Sequence, residues 1–222
     1  MVKIDKRKSY YLTIDTETTN DLDDPIMYDI GGIVHDKKGN VMESFSFVVY
    51  EVFCCEKELM KTAYYSEKIP QYNEDIKNGT RRIARLITIK MYIKDLCEKY
   101  NIKAILAYNM RFDYRSTAKT QRYITKSKYR FFLPYGIELW DIMKMAQNTI
   151  CKQKTYKIWC KENGYFTKNG RVKTTAEIVY RYISSEYSFI ENHTGLEDCI
   201  IEKEIFVRCL EQHKKMQKKC FE

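Results

Sequence analysis

The sequence lacks any apolar run long enough to cross a membrane, which would need about 20 consecutive residues. Residues 1–8 are charged and lead into only a short apolar stretch, which differs from the pattern of a signal peptide. We therefore expect a cytoplasmic protein that has no membrane partner.

Zinc-binding and disulfide patterns are also missing, although the chain contains eight cysteines. Cys54 and Cys55 are adjacent, and no CxxC pair occurs. The other six stand singly along the chain: Cys97, Cys151, Cys160, Cys199, Cys209 and Cys220. In a reducing compartment such cysteines behave as small buried hydrophobic residues or as inert surface thiols. The sequence therefore predicts neither a disulfide framework nor a structural zinc site.

Internal repeats, low-complexity tracts and linker-like segments are absent as well. The hydrophobic share of 44% and the charged share of 31% are typical of globular proteins. A chain of 222 residues fits one domain and can bury a sizeable core. We therefore predict a single domain that covers residues 1–222.

Acidic residues are fewer than basic ones, with 30 Asp and Glu against 39 Lys and Arg, which gives a net charge of +9. This surplus favours a polyanionic partner such as nucleic acid, because neutralised phosphates release their counterions. The 19 tyrosines offer aromatic faces for unpaired bases, although most of them will pack in the interior. The alternative is a solvated surface that serves solubility alone.

The order of predicted elements indicates an α/β fold with a mixed sheet. Residues 9–15, 28–35 and 41–50 are rich in β-forming residues and predict an N-terminal three-stranded meander. Two more strands are predicted at 103–108 and 136–140. Helices are predicted at 82–100, 112–124, 155–163, 174–182, after the capping residue Asp141 and at the C-terminus, and short helices interrupted by Pro70 at 56–79. This order predicts a five-stranded sheet, the meander plus two parallel strands, flanked by helices.

A pair of carboxylates follows the first predicted strand. Asp15 and Glu17 are two residues apart, so an extended chain places both on one face. Two adjacent carboxylates repel each other, and a divalent cation with its preference for oxygen ligands would relieve that repulsion. The alternative for a lone DxE pair is two solvated charges at a strand end.

Further acids and one histidine begin two helices. Asp113 falls in the first turn after the fourth strand, where it lies beside the first strand if the two are parallel; alternatively it complements the helix dipole. Thr194 with Glu197 forms a capping-box pattern, which places His193 just before the last helix and Asp198 in its first turn. Hydrophobic-staple geometry brings those two positions together; alternatively His193 is a polar loop residue.

In this order the motifs resemble those of the DEDDh branch of the DnaQ-like 3′→5′ exonucleases, in the ribonuclease-H-like superfamily. Residues 15–19 are similar to the first family motif, and residues 109–113 match the second, Asn-x-x-Phe-Asp. His193 and Asp198 match the third, His-x-Ala-x-x-Asp, with Gly195 at the alanine position, a change that we expect to be tolerated. The sequence is most similar in pattern to phage-encoded or bacterial members of this branch.

The resemblance implies a two-metal phosphodiesterase that releases nucleoside 5′-monophosphates from a 3′ end, with single-stranded DNA as the expected substrate. Two Mg²⁺ or Mn²⁺ ions would be held by four carboxylates, and His193 would act as general base. The implied metal ligands are Asp15, Glu17, Asp113 and Asp198. Position along the chain also nominates substrate contacts: Thr18, Phe112, Tyr114, Lys168, Arg171 and Lys173.

Other functions stay open at the level of sequence. An exoribonuclease would read the 2′-hydroxyl, for which the sequence shows no signal. A non-catalytic nucleic-acid-binding module could keep the same fold. Residues 51–101 lack the sequence pattern that is usual in the family, which leaves a polymerase partner open. This segment is therefore a candidate docking surface.

Overall fold

The computed structural model describes residues 4–5, 7–129 and 131–221, and its central feature is a six-stranded mixed sheet. The strands are β1 (Tyr10–Thr19), β2 (Ile26–Asp36), β3 (Val41–Val49), β4 (Arg82–Ala84), β5 (Ile102–Ala107) and β6 (Glu138–Asp141). Their order across the sheet is β4-β3-β2-β1-β5-β6. The predicted meander and the two parallel strands are confirmed, and strand ends differ from the prediction by a few residues.

The prediction of five strands was wrong by one. Residues 82–84 form β4, parallel to β3, instead of the first turn of a helix. Three residues are too few for an alternating pattern to be visible, and the neighbouring helical pattern masks them. The helix begins only at Leu86, whose backbone N–H donates to the Glu51 carboxylate.

Helices cover the sheet and connect its strands. They are α1 (Tyr50–Phe53), α2 (Lys57–Met60), a 3₁₀ turn (Ser66–Lys68), α3 (Ile69–Asn78), α4 (Leu86–Tyr100), α5 (Met110–Thr125), α6 (Ile142–Asn148), α7 (Lys154–Glu162), α8 (Ala176–Ser184) and α9 (Gly195–Glu211). Pro70 was predicted to interrupt helices, but it lies in the first turn of α3. A proline there loses no intrahelical hydrogen bond, so it begins the helix.

Two hydrophobic clusters enclose the sheet. Alternate residues of β1 enter different clusters: Leu12 and Ile14 pack with α4, whereas Tyr11 packs with Phe206 of α9. The six singly placed cysteines are buried and all eight are free thiols, as predicted, with Cys55 exposed. No helix in the described part of the chain is both long and apolar enough to span a membrane.

The start of α9 lies directly on the backbone of β2. A Cβ atom on Gly31 would lie 2.1 Å from the Leu196 nitrogen, and one on Gly195 would lie 2.6 Å from the Gly31 nitrogen. Neither position has room for a methyl group, because the obstructing atoms are backbone. Glycine at position 195, where the family motif has alanine, is therefore matched to Gly31. This contact brings the start of α9 against the strand that pairs with Asp15.

Candidate metal centre

The five residues predicted as catalytic line one cavity of about 420 Å³. Asp15 and Glu17 lie within β1, which continues to Thr19 past its predicted end. Because β5 is parallel to β1, the α5 helix that follows β5 begins beside these acids and contributes Asp113. The start of α9 contributes Asp198, and the loop before it contributes His193.

Three of the four predicted metal ligands form a tight group. Oxygen atoms of Asp15, Glu17 and Asp198 lie within 4.8 Å of one another. That spacing and an all-oxygen donor set suit a hard divalent cation. These three side chains could therefore hold one metal ion without rearrangement of the backbone.

Asp113 lies in the same cavity but is not one of those three carboxylates. Its Oδ1 accepts a hydrogen bond of 2.9 Å from the Thr16 hydroxyl, which also bonds to Ser116. Thr16 lies between Asp15 and Glu17 on β1 and lines the same cavity, so the strand contributes a hydrogen bond to Asp113 as well as two acids. Asp113 is therefore held by Thr16 in the same cavity, outside the group of three.

Burial and mutual repulsion disfavour the ionised forms of these carboxylates. Burial, with Glu202 as the next contribution, raises the pKa of Asp15 well above its usual range. Burial and the charge of Asp198 do the same to the pKa of Glu17. Burial raises the pKa of Asp113 to about 7 and that of Asp198 to about 8. A bound cation would remove this penalty, because it compensates the negative charge that burial disfavours.

Without metal, the free energy of unfolding should decrease as the pH rises from about 4 to about 8. The pKa values of folded Asp113 and Asp198, about 7 and about 8, exceed the usual 3.8, so the folded state binds more protons in this range. Thermal unfolding in chelator at about pH 5 and about pH 8 would measure the effect. Mn²⁺ should restore the melting temperature at the higher pH. A melting temperature that does not depend on pH would contradict the raised pKa values of these carboxylates.

His193 is held by backbone and ring contacts. Its φ of 56° is left-handed, and its backbone N–H donates to Asp198 Oδ1 at 3.2 Å. Its ring stacks on Tyr65, with centroids 4.0 Å apart and planes 8° apart. Burial and the nearby Lys68 lower the pKa of His193, which favours the neutral imidazole. The predicted proximity of His193 and Asp198 is confirmed.

The helix cap before Asp198 differs from its prediction in one detail. Thr194 is the N-cap of α9, as predicted, but its side chain makes no cap hydrogen bond to the backbone. Its hydroxyl instead donates to the Glu197 carboxylate. The Gly195 N–H at the helix start donates to Asp29 Oδ2 at 2.9 Å. Asp29 on β2 therefore replaces the N-cap side chain as the acceptor at this helix end. At the other predicted cap, Asp141 accepts from the Lys144 N–H as expected.

The residues nominated as substrate contacts separate into two groups. Phe112 and Lys173 line the cavity with the acids. Lys168 and Arg171 are exposed on the loop between Phe166 and Val172 and do not line it. The remaining two also lie outside it: Thr18 is buried and its carbonyl accepts from the Tyr64 N–H, and Tyr114 lines a neighbouring groove.

Sequence reasoning missed several cavity residues and one supporting network. Tyr65, Glu191 and Glu202 are among the residues that line the cavity without belonging to a motif. Buried Asp29 accepts hydrogen bonds from Arg81, at 2.6 Å, and from Tyr72, at 2.9 Å, in addition to Gly195. The available signal was the position of an acid among the apolar residues in the first half of β2.

Solved structures of E. coli exonuclease I share this fold. The complex with a 5cy-dT13 oligonucleotide has a TM-score of 0.56 at 15% identity, covering 93% of this chain and 41% of that chain. The dA16 complex gives 0.53 at 15% identity, covering 92% and 41%. The zinc-bound form of its single-stranded DNA complex gives 0.51 at 14% identity, covering 92% and 40%.

The likeness is therefore one of fold, and it extends over nearly the whole chain. The chain spans about two fifths of the length of the exonuclease I chains that it matches. No protein-family profile matches the sequence, and no curated protein matches it either. The chain has the α/β fold, a six-stranded mixed sheet flanked by helices, that these exonuclease I structures share.

Proposed function

We propose that this chain is a metal-dependent 3′→5′ exonuclease that releases nucleoside 5′-monophosphates from single-stranded DNA. The observation that carries the proposal is the meeting of Asp15, Glu17 and Asp198 within 4.8 Å, in a cavity that also holds Asp113 and His193. The fold shared with DNA-bound exonuclease I supports the substrate class. Residues 1–222 would form one catalytic domain.

The group of three carboxylates supports a division of the ligands between two ions. Glu17 and Asp198 would hold the first ion with Asp15, while Asp113 would hold the second, with Asp15 shared between them. Bound Mg²⁺ or Mn²⁺ would lower the pKa of the attacking water and offset charge on the leaving 3′ oxygen. The protein's part is to fix these carboxylates before substrate arrives, so that the site needs no reorganisation during the reaction.

His193 would accept the proton of the attacking water. A general base needs a neutral ring near the working pH, and the lowered pKa of His193 provides one. The Asp198 hydrogen bond to its backbone and the Tyr65 ring on its face restrict where the imidazole can point. The base is therefore tied to a proposed metal ligand through the backbone, and no hydrogen bond within the described part of the chain occupies its ring nitrogens.

Replacing His193 with glutamine should lower the rate of nucleotide release by about 10²–10⁴-fold. Mn²⁺ affinity, measured by calorimetry, should stay unchanged because the ring is a proton acceptor in this scheme. His213→Gln is the matched control, since that histidine is exposed and lies outside the cavity. Loss of metal affinity in His193→Gln would make the residue a ligand instead.

The substrate strand would enter over the rim of the cavity. Phe112 offers an aromatic face for the terminal base, and Lys173 offers a cation for a phosphate. Lys168 and Arg171, exposed on the adjacent loop, would contact phosphates further from the 3′ end. Thr18 would contribute only through the backbone of β1, because its side chain is buried.

Digestion of 5′-labelled oligonucleotides tests the proposal. With Mg²⁺ or Mn²⁺, single-stranded DNA should shorten stepwise from its 3′ end, and chelator or a blocked 3′ end should stop the reaction. Asp198→Asn should be inactive, while Asp95→Asn, at an exposed position of α4, should match the wild type. Faster shortening of matched RNA would identify an exoribonuclease. Binding without shortening would identify a non-catalytic module.

A further inference from the structure

Glu202 is a carboxylate of the cavity that the proposed mechanism does not use. It lies one helical turn after Asp198 on α9, so both side chains face the same direction. Only 2% of Glu202 is exposed, and the surface that it does present lines the cavity with the metal-binding acids. The family motif ends at Asp198, so the resemblance assigns no role to this residue.

The polar partners of Glu202 do not account for its burial. Among the described residues, its Oε2 has no hydrogen-bond partner, while the backbone of Tyr108 bonds to the carboxylate. The neighbouring Lys203 pairs with Glu204, at 3.0 Å. A buried carboxylate with an unpaired oxygen is costly unless a cation or a proton compensates it.

The charged groups that raise the pKa of Glu202 are carboxylates. Its charge is the largest electrostatic contribution that raises the pKa of Asp15, and its own pKa is raised by burial, Asp113 and Asp198. Glu202 is also buried and lines the same cavity as those acids. An added cation is the partner that would satisfy all of these oxygens together.

We infer that Glu202 supplies a fifth carboxylate to the metal centre, on the side of Asp113. This inference rests on the proposed function and extends it to a residue outside the motifs. Asp113 alone is an incomplete set for a second ion, since its Oδ1 already accepts from Thr16. The free Oε2 of Glu202 completes that set, either on the ion or on water bound to it.

Titration with Mn²⁺ in the absence of nucleic acid tests this role. Wild-type protein should bind two ions by calorimetry. Glu202→Gln keeps the shape and the acceptor for Tyr108 but removes the charge, and it should weaken one site by about 10–100-fold while the other stays unchanged. Glu204→Gln, two residues along α9 and partly exposed, is the matched control and should bind both ions normally.

Two further measurements keep the outcomes separable. In chelator, Glu202→Gln should melt at the same temperature as the wild type or higher, because it removes one of the mutually repelling charges. Glu202→Asp, which withdraws the carboxylate by one methylene, should also weaken one site. This variant tests the metal-binding role of Glu202 if the glutamine variant does not fold. Wild-type Mn²⁺ affinities in both variants would overturn the inference, whereas Glu202-dependent binding without DNA shortening would overturn only the proposed function.

Discussion

Replacing Asp15 with asparagine should abolish nucleotide release and at the same time stabilise the metal-free protein. Asp15 is the carboxylate that both proposed metal positions share. Loss of about 5–6 kcal/mol of metal-dependent stabilisation of the transition state would slow the reaction roughly 10⁴-fold. The measurement is single-turnover release of 5′-mononucleotides from labelled single-stranded DNA, with Asp95→Asn as the control.

The expected gain in stability of the metal-free protein arises from the same charges. The pKa of Asp15 is raised because its ionised form is desolvated and repelled by Glu202, Asp113, Glu17 and Asp198. Asparagine removes that repulsion, so the melting temperature in chelator at about pH 8 should rise. Added Mn²⁺ should then stabilise the variant less than the wild type.

The predicted loss of activity and the predicted gain in stability would each be contradicted by a different result. Full activity in Asp15→Asn would remove this site as the catalytic centre. Loss of activity together with a lower melting temperature in chelator would mean that Asp15 supports the fold, and that the inactivity reports unfolding. Only the combination of lost activity and retained or increased stability identifies a functional acid cluster, because such clusters are built at the expense of stability.

The sequence was sufficient to predict which acids line one cavity, because their positions follow from strand and helix ends. Asp15 and Glu17 alternate on β1, and Asp113 follows β5, which is parallel to it. Sheet geometry alone therefore brings them to one edge. The strand ends were less predictable: β1 was expected to stop at Asp15, but its pairing with β2 continues to Thr19.

Residues that act through tertiary contacts gave no local signal. Tyr65 reaches His193 from a segment 128 positions earlier, and no periodicity marks it. Glu202 belongs to a helix that carries several acids, and such a pattern by itself indicates a solvent-exposed position. Its burial follows from the direction in which α9 crosses β1 and β2, which the close contact of Gly31 with Gly195 fixes.

The 51–101 segment, whose role the sequence left open, contributes residues that support the acid-lined cavity. Its Arg81, at 2% exposure, contacts Asp29 at 2.6 Å, Glu197 at 3.3 Å and Asp75 at 3.4 Å. Tyr72 of the same segment donates to Asp29 and lies under the guanidinium, 4.3 Å from the ring centroid. Asp29 in turn accepts from Gly195 at the start of α9. The segment therefore holds the helix that carries Asp198.

Replacing Arg81 with methionine should lower the free energy of unfolding by about 3–5 kcal/mol, because it leaves Asp29 buried without its cation. Burial already raises the pKa of Asp29 even beside Arg81. Without the guanidinium this carboxylate must either stay charged at high cost or take up a proton. Urea unfolding in chelator measures the loss, and Arg85→Met, at an exposed position nearby, should change stability by less than about 0.5 kcal/mol.

The dependence on pH and on a second substitution separates the buried ion pair from lost packing. The loss should be larger near about pH 8 than near about pH 5, since the unfolded Asp29 is ionised throughout and only the folded state gains by protonation. Asp29→Asn added to Arg81→Met removes the unpaired charge but keeps an acceptor for Gly195, so the double variant should recover part of the stability. A loss that is equal at both pH values and unrelieved by Asp29→Asn would show that Arg81 stabilises the fold through its packing on Tyr72 rather than through its charge.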